Sequence, residues 1–148
     1  MEPKILRQKS PVPSLHHLVS LLQHRADEVL NRQIGIGLGQ VRILAALHTS
    51  VPHSQRAIAK KLQQTEANVS RQVRHMKNQG LVSIKRSTKD ARQREVTLSV
   101  HGQRELQAAL KILRVQEKKL LSLLKAEQTK HFKTASEDLA RAIGFLDI

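Results

Sequence analysis

The side chains best suited to chemistry lie between Thr65 and Asn78. If Thr65 opens a helix, Val69, Val73 and Met76 fall on one side of it. Advancing about 100° per residue, the opposite side carries Ala67, Arg71, Arg74, His75 and Asn78, with Asn68 and Ser70 flanking them. Arginine can hold guanine through two hydrogen bonds, and asparagine can do the same with adenine. Ala67 is small enough to allow close approach. This is a face for reading base edges, not for making or breaking bonds. The same residues also suit any solvated helix, so the surrounding charge has to decide. From His53 to Val96 eleven Lys or Arg residues face three acids, Glu66, Asp90 and Glu95. Charge gathered on one short stretch is a footprint for phosphate rather than for general solubility. Lys85, Arg86 and Lys89 continue the basic run, and Arg92 suits a narrow minor groove. Asp90 is expected to pair with Arg92 or with a neighbouring arginine and hold its geometry.

Other chemistries find little support. The chain of 148 residues has no cysteine, which removes disulfides, thiolate catalysis and thiol redox sensing. No glycine-rich phosphate loop, nucleophile elbow or paired-carboxylate motif occurs. Eight histidines raise the question of a metal, and His24 and Glu28 stand four apart on a helix that also holds His16 and His17. A metal needs three or four converging ligands, and no tight cluster forms. No metal, no cofactor and no enzymatic activity are expected. Aromatics are 1% of the chain, which disfavours the base stacking used by single-strand binders. The net charge of +14 calls for a polyanionic partner. No apolar run reaches the roughly 18 residues of a membrane span, and the first residues lack the apolar run of a signal peptide. A cytoplasmic, membrane-free protein is expected.

The elements that must position these residues follow from periodicity and punctuation. Residues 1–13 hold Pro3, Pro11 and Pro13 and read as a mobile arm. Ser14 is the expected cap of a helix over 14–33, with Leu15, Leu18, Leu22, Ala26 and Val29 at helical spacing. Gly35, Gly37 and Gly39 end it, and a second helix is predicted over about 40–48. Ser54 caps a third helix over about 55–62, and Gln55 at its start is a candidate contact. Thr65, itself a candidate contact, caps the fourth, which Gly80 stops. Two short strands, 81–86 and 94–98, make a hairpin with a polar tip. Beyond it, Leu106, Leu110, Leu113, Glu117, Leu120 and Leu124 follow a 4-3-4-3-4 spacing. That is a seam along one face of a helix roughly 36 Å long, which projects from a small domain unless something covers it. Phe132, Ala135, Leu139, Ala142 and Leu146 repeat the pattern in a last helix.

The expected fold is mainly α with a small β-hairpin wing: a winged helix-turn-helix over about 39–99, flanked by dimerisation helices over about 14–33 and 101–146. Residues 14–148 are expected to form a single domain.

These residues resemble the MarR family of transcriptional regulators. Leu38-Gly39-Gln40-Val41-Arg42-Ile43-Leu44 is similar to the family's second-helix pattern. Ala57 to Leu62 and Asn68-Val69-Ser70-Arg71 resemble its two helix-turn-helix segments, and Asn78 to Val82 resembles the entry to its wing. Asp90-Ala91-Arg92, followed by Leu98-Ser99 and Gly102, resembles its wing signature and is the most specific part. The resemblance implies an obligate homodimer on a pseudo-palindromic operator, usually acting as a repressor. It implies DNA contacts from Gln55, Thr65, Ala67, Asn68, Ser70, Arg71, Arg74, His75, Lys85, Arg86, Lys89, Asp90 and Arg92. It also implies a dimer interface of Leu15, Leu18, Leu22, Leu106, Leu110, Leu113, Leu120, Leu124, Leu139 and Leu146. Many members release DNA on binding a small molecule, so an effector of unidentified chemistry is a further expected partner. Without Tyr or Trp, this chain has little to stack on a planar phenolic ligand. Two other readings stay open: an architectural nucleic-acid binder that uses charge with little sequence preference, and an interaction or enzyme role in which the winged unit is a scaffold.

Overall fold

The computed structural model describes residues 11–48, 51–88, 90 and 92–144. Its elements in chain order are α1 (Pro11–Ile34), α2 (Leu38–Ala46), β1 (His53–Ser54), α3 (Gln55–Leu62), α4 (Glu66–Asn78), β2 (Val82–Arg86), β3 (Arg94–Leu98), α5 (Val100–Leu121) and α6 (Ala126–Ala142). The chain forms two compact units, Met1–Ile112 and Leu113–Ile148, with the division inside α5.

Helix α1 starts at Pro11, so Ser14 lies within its first turn and is not its cap. Proline is tolerated there because the first N–H groups of a helix have no acceptor within it. The remainder of the expected arm, residues 1–10, lies outside the described residues. Helix α2 begins two residues before the expected Gln40 because its first turn is capped from outside. The Asp27 carboxylate accepts from the Leu38 N–H at 2.7 Å. A Cβ on Gly37 would sit 2.8 Å from that same carboxylate oxygen, so glycine leaves room for the cap.

The first unit is built on an aliphatic core. Leu30, Ile43, Leu44, Leu47, Ile58, Met76, Leu81 and Leu106 are almost wholly buried, together with Val69, Val73 and Val96. Val69, Val73 and Met76 are thus the inward stripe of α4, as their spacing demands. A short strand that periodicity did not reveal, β1, completes a three-stranded antiparallel sheet in the order β1-β3-β2. It pairs His53 with Val96 and Ser54 with Glu95. Two residues are too few to show an alternating pattern.

The base of the wing is locked by Gly102. A Cβ there would lie 2.0 Å from the Leu81 carbonyl oxygen, so α5 can pack on that backbone only without a side chain. Ser99 secures the same junction: its hydroxyl donates to the Gly80 carbonyl at 2.6 Å and accepts from the Gly102 N–H at 2.9 Å. Gly80 takes φ of +72°, and the Leu81 N–H closes back on the Met76 carbonyl at 2.9 Å, the glycine stop expected after α4.

In the second unit α6 has no buried residue. Leu120, Leu123, Leu124, Phe132 and Leu139 are exposed there. The turn between its helices is held by Thr129, whose hydroxyl bonds the Leu121 carbonyl at 3.3 Å and the Lys125 carbonyl at 3.2 Å.

Candidate nucleic-acid interface

Helix α3 starts where Ser54 ends β1. The Ser54 hydroxyl accepts from the Ala57 N–H at 3.1 Å, so one residue terminates the strand and caps the helix. A tight turn follows, with Gln63 in the left-handed region at φ 52°. Thr65 then caps α4 by accepting from the Asn68 N–H at 3.3 Å. These caps fix α3 and α4 as a helix-turn-helix with little slack.

The outer side of α4 presents Ala67, Arg71, Arg74 and His75, all exposed, and Ser70 is half-buried beside them. Asn68 differs from expectation. Its side-chain amide donates to the Gln64 side-chain oxygen at 3.1 Å, and Gln72 donates to the same oxygen at 3.1 Å. Asn68 therefore helps hold the α3–α4 turn, with one of its two amide N–H groups committed to Gln64. Gln55, the first residue of α3, is half-buried, and Thr65 is exposed at its cap position.

The wing carries Lys85 and Arg86 exposed at the end of β2. Lys85 stands opposite Glu95, and Arg86 stands opposite Arg94. At the tip Asp90 does not pair with Arg92 through the guanidinium, as the sequence suggested. Its carboxylate accepts from the Arg92 backbone N–H at 2.9 Å and from the Gln93 side-chain amide at 3.2 Å. A carboxylate two residues before an N–H closes a short local turn, and this reaches less far than a salt bridge. The turn leaves the Arg92 side chain exposed. Lys89 and Ala91 lie outside the described residues.

Among the described residues, the ion pairs lie in α1, α5 and α6, and none involves a cation of α3, α4 or the wing. The cations of that face are thus held in no ion pair among the described residues. Three residues counted in the sequence only as charge, Arg56, Glu66 and Arg94, meet Arg92 around an open groove between the starts of α3 and α4 and the tip end of the wing. The hairpin register that turns Arg94 toward Arg86 is the signal that would have found this groove.

The predicted dimer positions fall into three groups. Leu15, Leu18, Leu22, Leu110, Leu120, Leu124 and Leu139 are exposed, and Leu113 is half-buried. Leu106 is a correction: at 1% exposure it belongs to the core of the first unit, with Ala109 beside it at 0%, and cannot face a partner. The 4-3-4 spacing marks an apolar stripe but does not say which part of the stripe the chain itself covers. Leu146 lies outside the described residues.

Among the described residues no three His, Asp or Glu groups converge as a metal site. Glu28, near His24, is taken by Arg25 at 2.8 Å and by Arg32. The hydrogen bond and charge of Arg25, followed by the charge of Arg32, hold its carboxyl below the usual value. Among the described residues no helix is long and apolar enough to cross a membrane.

Two helices with a tight turn, a glycine stop and a three-stranded wing define a winged helix-turn-helix protein. The family model that matches is that of the MarR family, over residues 34–93. The fold agrees along nearly the whole chain. The Staphylococcus aureus transcription regulator MepR is similar with a TM-score of 0.75 at 23% identity, over 90% of this chain and 98% of that one. A MepR–DNA complex from S. aureus is similar with a TM-score of 0.74 at 22% identity, over 92% and 99%. The crystal structure of MarR is similar with a TM-score of 0.79 at 18% identity, over 87% and 96%. A comparison with curated protein sequences finds no match. Residues 34–93 thus match the MarR family model, within a chain whose fold is similar to those of MepR and MarR.

Proposed function

We propose that this protein is a sequence-specific double-stranded DNA-binding transcription regulator that acts as a homodimer on a pseudo-palindromic operator. The observation that carries this reading is the exposed cationic face of α4, where Arg71 and Arg74 make no ion pair among the described residues and stand beside a wing that presents Arg86 and Arg92. Arg71 and Arg74 suit guanine edges in a major groove, and Arg92 suits the minor groove beside it. MepR, a relative in fold, is a transcription regulator and forms a complex with DNA. Two copies would place their α4 helices about one helical turn of DNA apart. Repression is the mode the family resemblance supports, and a cytoplasmic location follows from the role. No enzymatic step is assigned to any residue.

Selection of bound sites from randomised duplex DNA tests the reading, and a palindromic consensus is expected. Arg71→Ala is expected to cost about 1–3 kcal/mol at the selected site and to blur preference at one position in each half. An Arg71 variant with unchanged binding and unchanged preference would sink the assignment of α4 as the reading face.

The net charge of +14 favours a second reading, a charge-driven architectural binder. In that case random DNA at equal concentration would compete as well as the selected site, and affinity would fall steeply with salt for both.

A further inference from the structure

A helix in a major groove and a hairpin in the neighbouring minor groove are separated by one sugar-phosphate strand. That strand has to cross the gap between α4 and the wing. In this protein the gap is the open groove of about 340 Å3 whose walls include Ser54, Arg56, Glu66, Arg92, Gln93 and Arg94. It holds three guanidinium groups and one carboxylate. Arg94 stands directly across the ladder from Arg86, and like charges in that position oppose each other. Among the described residues no carboxylate lies within ion-pair distance of either arginine. A phosphodiester in the groove would relieve the repulsion that the hairpin register creates.

Glu66 is the exception in this setting. It is the acidic residue of the first turn of α4, and it is exposed. Five residues along a helix turn it about 140° away from Arg71. It therefore cannot share the base-facing side with Arg71, and it points instead to the flank where the groove lies.

We propose that this groove seats the single phosphodiester strand dividing the two DNA grooves, with Arg56 and Arg94 holding a phosphate and Glu66 opposing them. The inference rests on the DNA-binding reading above. The carboxylate lowers affinity for every sequence alike, because a phosphate carries no base information. Binding then depends more heavily on the contacts that the outer side of α4 makes with bases. An element that repels all partners equally raises the share of the total that the correct partner must supply.

The test measures affinity for a selected duplex and a scrambled duplex over a range of salt concentrations. Arg56→Ala and Arg94→Ala are each expected to weaken both duplexes by a similar factor, and to lower the slope of log affinity against log salt by about one. Arg56→Lys and Arg94→Lys keep the charge and should keep the slope, which separates loss of a phosphate contact from misfolding. Glu66→Gln should strengthen both duplexes by about 1.5- to 5-fold, the scale of one exposed charge interaction, with base preference unchanged. Slopes that stay at the wild-type value in both alanine variants overturn the seat. A Glu66→Gln protein that binds more weakly, or that prefers different bases, overturns the role given to Glu66. If the wild-type chain binds neither duplex, the DNA-binding reading itself fails. Wild-type binding with unmoved slopes removes only the seat.

Discussion

The two compact units of this chain differ in how much apolar surface each buries for itself. Among the described residues, every buried apolar side chain lies between Val29 and Ala109, in the first unit. The second unit, from Leu113 onward, leaves Leu120, Leu123, Leu124, Phe132, Leu139 and Ile143 exposed. The first unit therefore has a core of its own, although its α1 also leaves Leu15, Leu18 and Leu22 exposed. The second carries an apolar stripe that is exposed among the described residues, and exposed stripes of this kind mark association surfaces. A second copy of the chain is the occupant that the proposed homodimer supplies. The contrast extends to the helix ends. Ser54 and Thr65 cap α3 and α4 with their side chains, whereas Lys125 at the start of α6 makes no such bond. The start of α6 is held instead by Gln128, whose side-chain oxygen accepts from the Lys125 N–H at 3.0 Å.

The largest effect should come from the exposed stripe. Leu120→Asp combined with Leu124→Asp places two charges where an apolar partner is needed. Sedimentation equilibrium should show the wild-type chain as a dimer and the double variant as a monomer, with the helix content of the first unit retained. A wild-type chain that stays monomeric at high concentration would break the comparison.

A somewhat smaller effect is expected inside the first unit. Gly102→Ala forces a Cβ to within 2.0 Å of the Leu81 carbonyl. Either α5 or the base of the wing must move, at about 3 kcal/mol, the upper part of the range for overpacking. Chemical denaturation should record that loss, and a neutral outcome would mean that the junction is softer than its hydrogen bonds imply. The smallest effects sharpen the contrast in capping. Ser54→Ala should cost about 1 kcal/mol by removing the acceptor for the Ala57 N–H, and Lys125→Asp should gain a few tenths to about 1 kcal/mol by supplying one. Thermal melts of both variants check the pair. Equal effects of the same sign would show that the caps do not distinguish the two units.

Much of this could be read from the chain because it is local. Val69, Val73 and Met76 at helical spacing, Thr65 before them and Gly80 after them define α4 without reference to any other element. The same holds for α3 between Ser54 and Leu62 and for the alternation of Val96 and Leu98. Local spacing and caps set these elements because their energies depend on neighbours within a turn or two. What escaped depends on residues far apart in sequence. Asp27 caps α2 from eleven residues away, β1 exists through its pairing with β3, and Leu106 is buried because the first unit closes over it. The same division runs through the candidate site. Arg71 and Arg74 were legible as a face, since one helix places them together. The groove of Arg56, Glu66 and Arg94 was not, because three elements have to meet before those charges become neighbours. Periodicity encodes which side of an element is apolar or cationic. Which of those sides the chain covers, and which it leaves for DNA or a second copy, is set by packing.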